Sequence, residues 1–155
     1  ALTLAAFIRG DLELRDAGFY ILIQLVAGLV GAALAGLLVL DDAYVFELRP
    51  GRNEQVIQAL LVEMLFTFLL ALVMLLVLPV RSTTFHTYYG LAMALVLMAA
   101  YFAAAPISGG AFNPALGLGA NLLSGGFDRL WIYLIGPLLG GTLAGFSYRI
   151  IYPAS

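Results

Sequence analysis

The sequence predicts an all-α integral membrane protein in which four transmembrane helices and two half-helices form a single domain over residues 1–155. Two observations carry this prediction. First, 63% of the residues are hydrophobic, only 10% are charged, and the mean hydropathy is +1.04, whereas soluble domains carry about 25% charged residues. Second, the charged residues are separated by uncharged segments long enough to form helices of about 20 residues, the length that a bilayer requires.

The same composition excludes several classes of function. Seven arginines, no lysine and a net charge of −2 are too few positive charges for a nucleic-acid-binding surface. The absence of cysteine rules out disulfides, thiolate catalysis and Cys-ligated metals. With a single histidine, neither a Ser-His-Asp set nor a His-rich metal site is expected. We therefore expect no enzymatic activity and no cofactor, and a lipid bilayer as the surrounding medium.

Charged residues mark the limits of the four predicted spans, which are residues 17–40, 54–78, 86–105 and 130–152. The uncharged stretch from Ser82 to Phe127 is too long for one span, and Pro106, Gly109 and Gly110 interrupt it. We therefore predict that it forms a span, a loop and then the second half-helix, over residues 114–124. The aromatic residues Tyr88, Tyr89, Trp131 and Tyr133 fit interfacial belts.

The short helix is predicted to start at Asn113, a preferred N-cap residue, followed by Pro114, which is favoured at the first helical position. About ten residues cover roughly 15 Å, half a membrane. A short segment interrupted by Gly and Pro within a membrane protein points to a transport site. An ordinary loop helix outside the membrane is the alternative that these residues leave open.

An internal repeat relates the two ends of the chain. Residues 1–6, ALTLAA, align with residues 115–120, ALGLGA, and in the segments that follow Gly28 falls on Gly141. The repeat predicts a first half-helix over residues 1–10 and an inverted orientation of the two copies, unless Ala- and Gly-rich helices align by chance. Because Asn113-Pro114 precedes the second copy, we also expect Asn-Pro before Ala1, so that the chain is a fragment cut inside this motif.

Two helix starts that meet in the middle of a membrane have a clear electrostatic consequence. Each start carries about half a positive charge and unpaired N–H groups. Together they would repel cations, while asparagine amides donate hydrogen bonds to a passing neutral molecule. The pattern therefore indicates passage of uncharged molecules with exclusion of ions.

These residues resemble the aquaporins, or major intrinsic proteins. The resemblance rests on Ser108-Gly109 ahead of Asn113-Pro114-Ala115, on Gly136-Pro137, on Glu63 with Thr67-Phe68, and on Gln24 with Gly28. It implies a right-handed helical bundle of inverted repeats around one pore, of which this chain lacks the first two spans. It also implies a homotetramer in the cell membrane that passively conducts water or small neutral solutes such as glycerol.

The resemblance assigns roles to individual residues. The pore centre would be formed by Asn113, Pro114, Ala115 and Ala1, the selectivity ring by Tyr101, Gly110 and Leu116, and the loop braces by Glu63 and Gln24. Leu116 departs from the family, which usually has Arg there, so a fixed positive charge and five hydrogen-bond donors are missing. This departure weakens the expectation of strict water selectivity and proton exclusion.

Two other functions remain open at this point. Glu63 lies deep within a predicted span, where an ionisable group is a functional candidate, so an ion-coupled transporter of small solutes is one alternative. The bulk of Tyr101 and the absence of the Arg make a closed-pore structural or assembly protein the other. His86, near the start of a span, would be the candidate for a pH-sensitive gate.

Overall fold

The computed structural model of the chain describes residues 1–38, 48, 50, 56–78 and 88–153. These residues form six helices and contain no strand. In chain order the helices are α1 (Leu2–Arg9), α2 (Leu14–Leu38), α3 (Val56–Val77), α4 (Tyr89–Ser108), α5 (Pro114–Ser124) and α6 (Leu130–Ile151). Four of them, α2, α3, α4 and α6, are long and apolar enough to cross a membrane.

Two helices extend beyond their predicted spans. Helix α2 begins at Leu14 rather than at residue 17, with Asp16 in its first turn, because charges mark the edge of the apolar segment and not the start of the helix. Helix α4 continues through Pro106 to Ser108, since a proline near the end of a helix removes only one late backbone hydrogen bond. The predicted limits at residues 40, 54 and 86, including His86, lie outside the described residues.

Helix α3 packs against both α4 and α6. Its contact with α6 is close because α6 presents glycines to it. A Cβ at Gly136 would lie 2.9 Å from the Cβ of Glu63, and one at Gly140 would lie 2.8 Å from the backbone nitrogen of Phe68. Small residues at such positions let helix backbones approach closely in a membrane protein.

The half-helices pack crosswise. Helix α5 lies against α2, which follows α1 in the chain, while α1 lies against α6, which follows α5. Each half-helix therefore contacts the long helix that belongs to the other half of the internal repeat. With this exchange, the starts of α1 and α5 line one common cavity.

Many large apolar side chains of the described residues are exposed and do not belong to the core. The most hydrophobic window of α2 contains no buried residue, and large side chains such as Phe19, Leu22 and Val30 are exposed along it. In a soluble domain this surface would be anomalous, but hydrocarbon or further protein covers such a surface in a membrane. The fold is thus that of a helical membrane protein.

Candidate functional site

A cavity of about 200 Å³ is lined by residues at the starts of both half-helices. Its lining combines the start of α1, the start of α5 and parts of α2 and α6. The lining residues are Ala1, Leu4, Ile21, Gln24, Leu25, Asn113, Pro114, Ala115 and Leu138. The structure therefore brings Ala1 and the Asn113–Ala115 segment, which the sequence analysis grouped together, around one space.

Asn113 caps helix α5 through its side chain. The residue is extended, with φ −156° and ψ 122°, and its Oδ1 accepts a hydrogen bond of 2.9 Å from the backbone N–H of Ala115. Pro114 follows as the first helical residue, where it needs no hydrogen-bond acceptor. Because the cap uses the oxygen of the Asn113 amide, the Nδ2 group remains as a hydrogen-bond donor at the cavity.

Both half-helix starts contribute to the electrostatics of this cavity. The N-terminal ends of α1 and α5 both line it, and a helix start carries about half a unit of positive charge. No acidic side chain is among its described lining residues. The two helix starts therefore face this cavity without a described carboxylate to offset them.

Glu63 holds the loop that leads into α5. This fully buried carboxylate on α3 accepts hydrogen bonds from the Ser108 hydroxyl at 2.7 Å, from the Ala111 N–H at 2.9 Å and from the Phe112 N–H at 2.6 Å. Both of its oxygens are occupied in this way. The loop needs such support because Gly109, Gly110 and Phe112 all have positive φ, which at Phe112 is 48°, a conformation that side-chain-bearing residues rarely adopt.

Tyr133, on α6, contacts the same loop. Its ring is fully buried, and its hydroxyl donates a hydrogen bond to the carbonyl oxygen of Ser108. The expectation that Tyr133 lies in an interfacial belt is therefore wrong, because the hydroxyl finds a carbonyl partner inside the protein and not at the membrane surface. Sequence reasoning missed this role, since a Tyr near the start of a span gives the same signal in both situations.

Two of the three expected ring residues lie in contact. A Cβ at Gly110 would lie 3.0 Å from the ring of Tyr101, and this ring packs edge-on against Phe112 with centroids 5.5 Å apart. The Tyr101 side chain remains partly exposed, at 38%. Leu116 lies half-buried in the first turn of α5.

Gln24 connects α2 to the first half-helix. Its Nε2 donates a hydrogen bond of 2.7 Å to the hydroxyl of Thr3, a buried residue on α1. The same side chain lines the cavity beside Asn113 and Ala1. The Gln24 side chain is thus bonded to α1 and also forms part of the cavity wall.

The far end of α1 is fastened by Arg9, which sequence reasoning did not single out. Its guanidinium pairs with Asp11, donates to the backbone carbonyls of Leu75 and Leu78 at the end of α3, and lies 5.0 Å from the ring centroid of Tyr148 on α6. The available signal was a basic residue in the last turn of a short helix, which favours contact with the carbonyls of its own helix and does not predict contact with those of α3. Among the described residues, no group of three or more His, Cys, Asp or Glu is placed to hold a metal ion.

Helices long and apolar enough to cross a membrane, together with two half-helices whose starts line one cavity, define a class of multi-pass membrane proteins. A family model described as "Major intrinsic protein" matches residues 1–148 of this chain. The chain therefore belongs to the major intrinsic protein family, and the resemblance stated from the sequence is confirmed. Members of this family are channels and not enzymes, in agreement with the expectation of no enzymatic activity.

Relatives in several organisms match nearly all of the chain. The chain is 34% identical to Aquaporin A of Dictyostelium discoideum over 157 residues. This alignment covers 97% of the chain and 56% of the relative. It is 29% identical over 153 residues to the probable aquaporin TIP2-2 of Oryza sativa subsp. japonica, covering 98% of the chain and 60% of that protein. It is 33% identical over 154 residues to aquaporin TIP4-1 of Zea mays, covering 98% and 59%. The chain thus spans a little over half the length of these relatives.

Proposed function

We propose that this chain forms part of a passive channel for water and small neutral solutes such as glycerol, located in a cell membrane. The observation that carries the proposal is that one cavity is lined by the starts of both half-helices, through Ala1 and through Asn113–Ala115. Family membership and the names of the aquaporin relatives favour the same function. A homotetrameric assembly belongs to the proposal as the expectation drawn from the family.

In this proposal, the half-helix starts exclude ions. A cation that entered the cavity would lose hydration water and would face two positive helix ends at once, with no carboxylate among the described lining residues to compensate. A neutral molecule loses less, because it exchanges water for the Nδ2 donor of Asn113. The pore residues Asn113, Pro114, Ala115 and Ala1 would thus combine a narrow apolar wall with one oriented donor.

Tyr101, Gly110 and Leu116 would form the described part of the selectivity ring. The contact between Tyr101 and Gly110 supports this grouping, because a larger residue at position 110 would displace the Tyr101 ring. With Leu116 in place of a fixed positive charge, the ring would select by size and hydrogen bonding instead of by charge. Glycerol-sized solutes are therefore proposed beside water.

Glu63 and Gln24 would act as braces, not as carriers of protons or ions. The Glu63 carboxylate accepts three hydrogen bonds from Ser108, Ala111 and Phe112, and it is not among the residues that line the cavity. An ion-coupled transporter would need this group to exchange its partners with a passing ion. The arrangement around Glu63 therefore favours the passive channel over the coupled transporter.

The proposal is tested by reconstituting the complete gene product in liposomes and recording light scattering after an osmotic step. We expect water and glycerol permeabilities above those of empty liposomes, independent of any proton or sodium gradient. Potassium permeability, measured on the same liposomes with a potential-sensitive dye, should stay at the level of the lipid. No increase in water or glycerol permeability would favour the closed-pore structural protein, while flux that requires an ion gradient would favour the coupled transporter.

A further inference from the structure

We infer that Gln24 contacts the conducted solute, as the hydrogen-bond acceptor that complements the donor of Asn113 in the same cavity. The inference rests on the proposed channel function. It adds a residue that distinguishes solutes by their hydrogen-bonding groups. It goes beyond the role of a brace, in which Gln24 would act only through its bond to Thr3.

The polar groups at the cavity are few. Of its nine described lining residues, two have polar side chains, Gln24 and Asn113, and the others are Ala, Leu, Ile or Pro. Apart from the backbone, a solute in this space therefore meets aliphatic side chains except at these two amides. The two amides are consequently the side chains that can replace hydrogen bonds of the solute when it leaves water.

Each amide uses one of its two polar atoms in a hydrogen bond to the protein. Asn113 uses the oxygen, and Gln24 uses the nitrogen. Asn113 uses its Oδ1 to accept from the Ala115 N–H, which leaves Nδ2 as a donor. Gln24 uses its Nε2 to donate to the Thr3 hydroxyl, which leaves Oε1 as an acceptor. The cavity therefore offers one oriented donor and one oriented acceptor.

This pairing identifies a class of solute. Water, the hydroxyl groups of small polyols and the amides of urea carry both donors and acceptors, so they can bond to Asn113 and Gln24 in the same passage. A solute with acceptors alone leaves the Gln24 oxygen unpartnered, and an unpartnered polar group in an apolar site is unfavourable. The cavity thus favours small neutral molecules that donate as well as accept hydrogen bonds.

The test compares two nearly isosteric variants in the complete gene product in liposomes, with water and glycerol as the probes. Gln24→Met removes the acceptor and also the bond to Thr3, whereas Thr3→Val removes only that bond and leaves the Gln24 amide in place. A single hydrogen bond corresponds to a change of roughly two- to tenfold. We expect Gln24→Met to lower both permeabilities by roughly this factor, and Thr3→Val to retain them within about twofold.

Thermal unfolding in detergent separates folding from conduction, because both variants lose the same tether and should lose similar stability. If Gln24→Met does not fold, Gln24→Ala serves as the second variant, since alanine suits a helix interior. Equal losses of permeability in Gln24→Met and Thr3→Val would overturn the inference and leave Gln24 as a brace, and so would unchanged permeability in Gln24→Met. A wild-type protein that conducts neither probe would instead overturn the proposed channel function, and this inference with it.

Discussion

Gly28 on α2 lies directly against the carbonyl group of Ala115 in the first turn of α5. A Cβ at Gly28 would overlap the Ala115 carbonyl oxygen and would come within 2.9 Å of its carbonyl carbon. The backbone of α2 thus touches the backbone of the half-helix next to the cavity. Only glycine allows this approach, so residue 28 fixes the position of the α5 start.

The internal repeat contains the same contact a second time. Gly141 on α6 is the repeat partner of Gly28, and Ala1 is the repeat partner of Ala115. A Cβ at Gly141 would lie 2.5 Å from the carbonyl oxygen of Ala1. Two glycines that the repeat pairs therefore contact two half-helix starts that the repeat also pairs. A duplicated and inverted unit would produce such matching contacts.

The first prediction concerns Gly28 and uses Gly31 as its control. Gly28→Ala would push α5 away from α2, and overpacking of this kind costs about 1–3 kcal/mol of unfolding free energy. Gly31 lies on the same helix with nothing within 4 Å of a Cβ built there, so Gly31→Ala should be neutral or stabilising by up to about 1 kcal/mol. Unfolding in detergent measures both, and channel assays should show that only Gly28→Ala lowers water permeability. Equal unfolding free energies and water permeabilities in the two variants would contradict the role of Gly28 in positioning the start of α5.

The sequence predicted this contact only in part. The repeat matched Gly28 with Gly141, but a small residue does not specify which part of the protein it packs against. The partner follows from the crosswise arrangement, in which α2 packs on α5 and α6 on α1. That arrangement depends on tertiary structure, which hydropathy and helix signals do not contain.

The second prediction concerns Glu63 and uses Thr67 as its control one helical turn away. In Glu63→Gln, an amide nitrogen replaces one acceptor and faces a donor of the loop, either the Ser108 hydroxyl and Ala111 N–H or the Phe112 N–H. An unsatisfied buried donor costs about 1–3 kcal/mol. The Thr67 hydroxyl, by contrast, is buried without a partner among the described residues, so Thr67→Val should be neutral or stabilising by about 1 kcal/mol.

Chemical unfolding in detergent tests this pair, and flux measurements at pH 5.5 and 8 add a functional readout. We expect the remaining water flux of Glu63→Gln to be independent of pH, as in the wild type, because the carboxylate is a structural acceptor. A wild-type flux driven by a proton gradient and lost in Glu63→Gln would contradict this expectation. Stabilisation by Glu63→Gln would contradict the bracing role itself.

Much of the candidate site was accessible from the sequence for a physical reason. Asn-Pro is a strong local signal for a helix start, so α5 could be placed at Pro114, where the structure has it. The loop before it was harder. The positive φ of Phe112 and the bond from Tyr133 to Ser108 arise from long-range contacts with α3 and α6, and no local pattern encodes them.

The third prediction concerns Tyr101. Its ring packs against Gly110 and Phe112, so Tyr101→Ala should open the space beside the loop that leads to Asn113. We expect glycerol permeability to rise several-fold while water permeability rises less, because the larger solute is more sensitive to the width. Tyr101→Phe is the control, since it keeps the ring and removes the hydroxyl. Unchanged solute permeabilities in Tyr101→Ala would mean that Tyr101 is a packing residue outside the conducting path.

The fourth prediction separates the two functions of the Asn113 side chain. Asn113→Asp keeps an oxygen that caps α5, and Asp is as good an N-cap as Asn, so unfolding in detergent should show little loss of stability. The variant loses the Nδ2 donor, however, and places a negative charge between two positive helix starts, so water permeability should fall and cations should begin to pass. Asn113→Ala is the matched comparison: it loses the cap, at a cost of about 1 kcal/mol, but adds no charge, and it should remain closed to cations. Potassium flux in liposomes distinguishes the two, and cation exclusion that survives in Asn113→Asp would show that the half-helix starts do not set the ion selectivity of this protein.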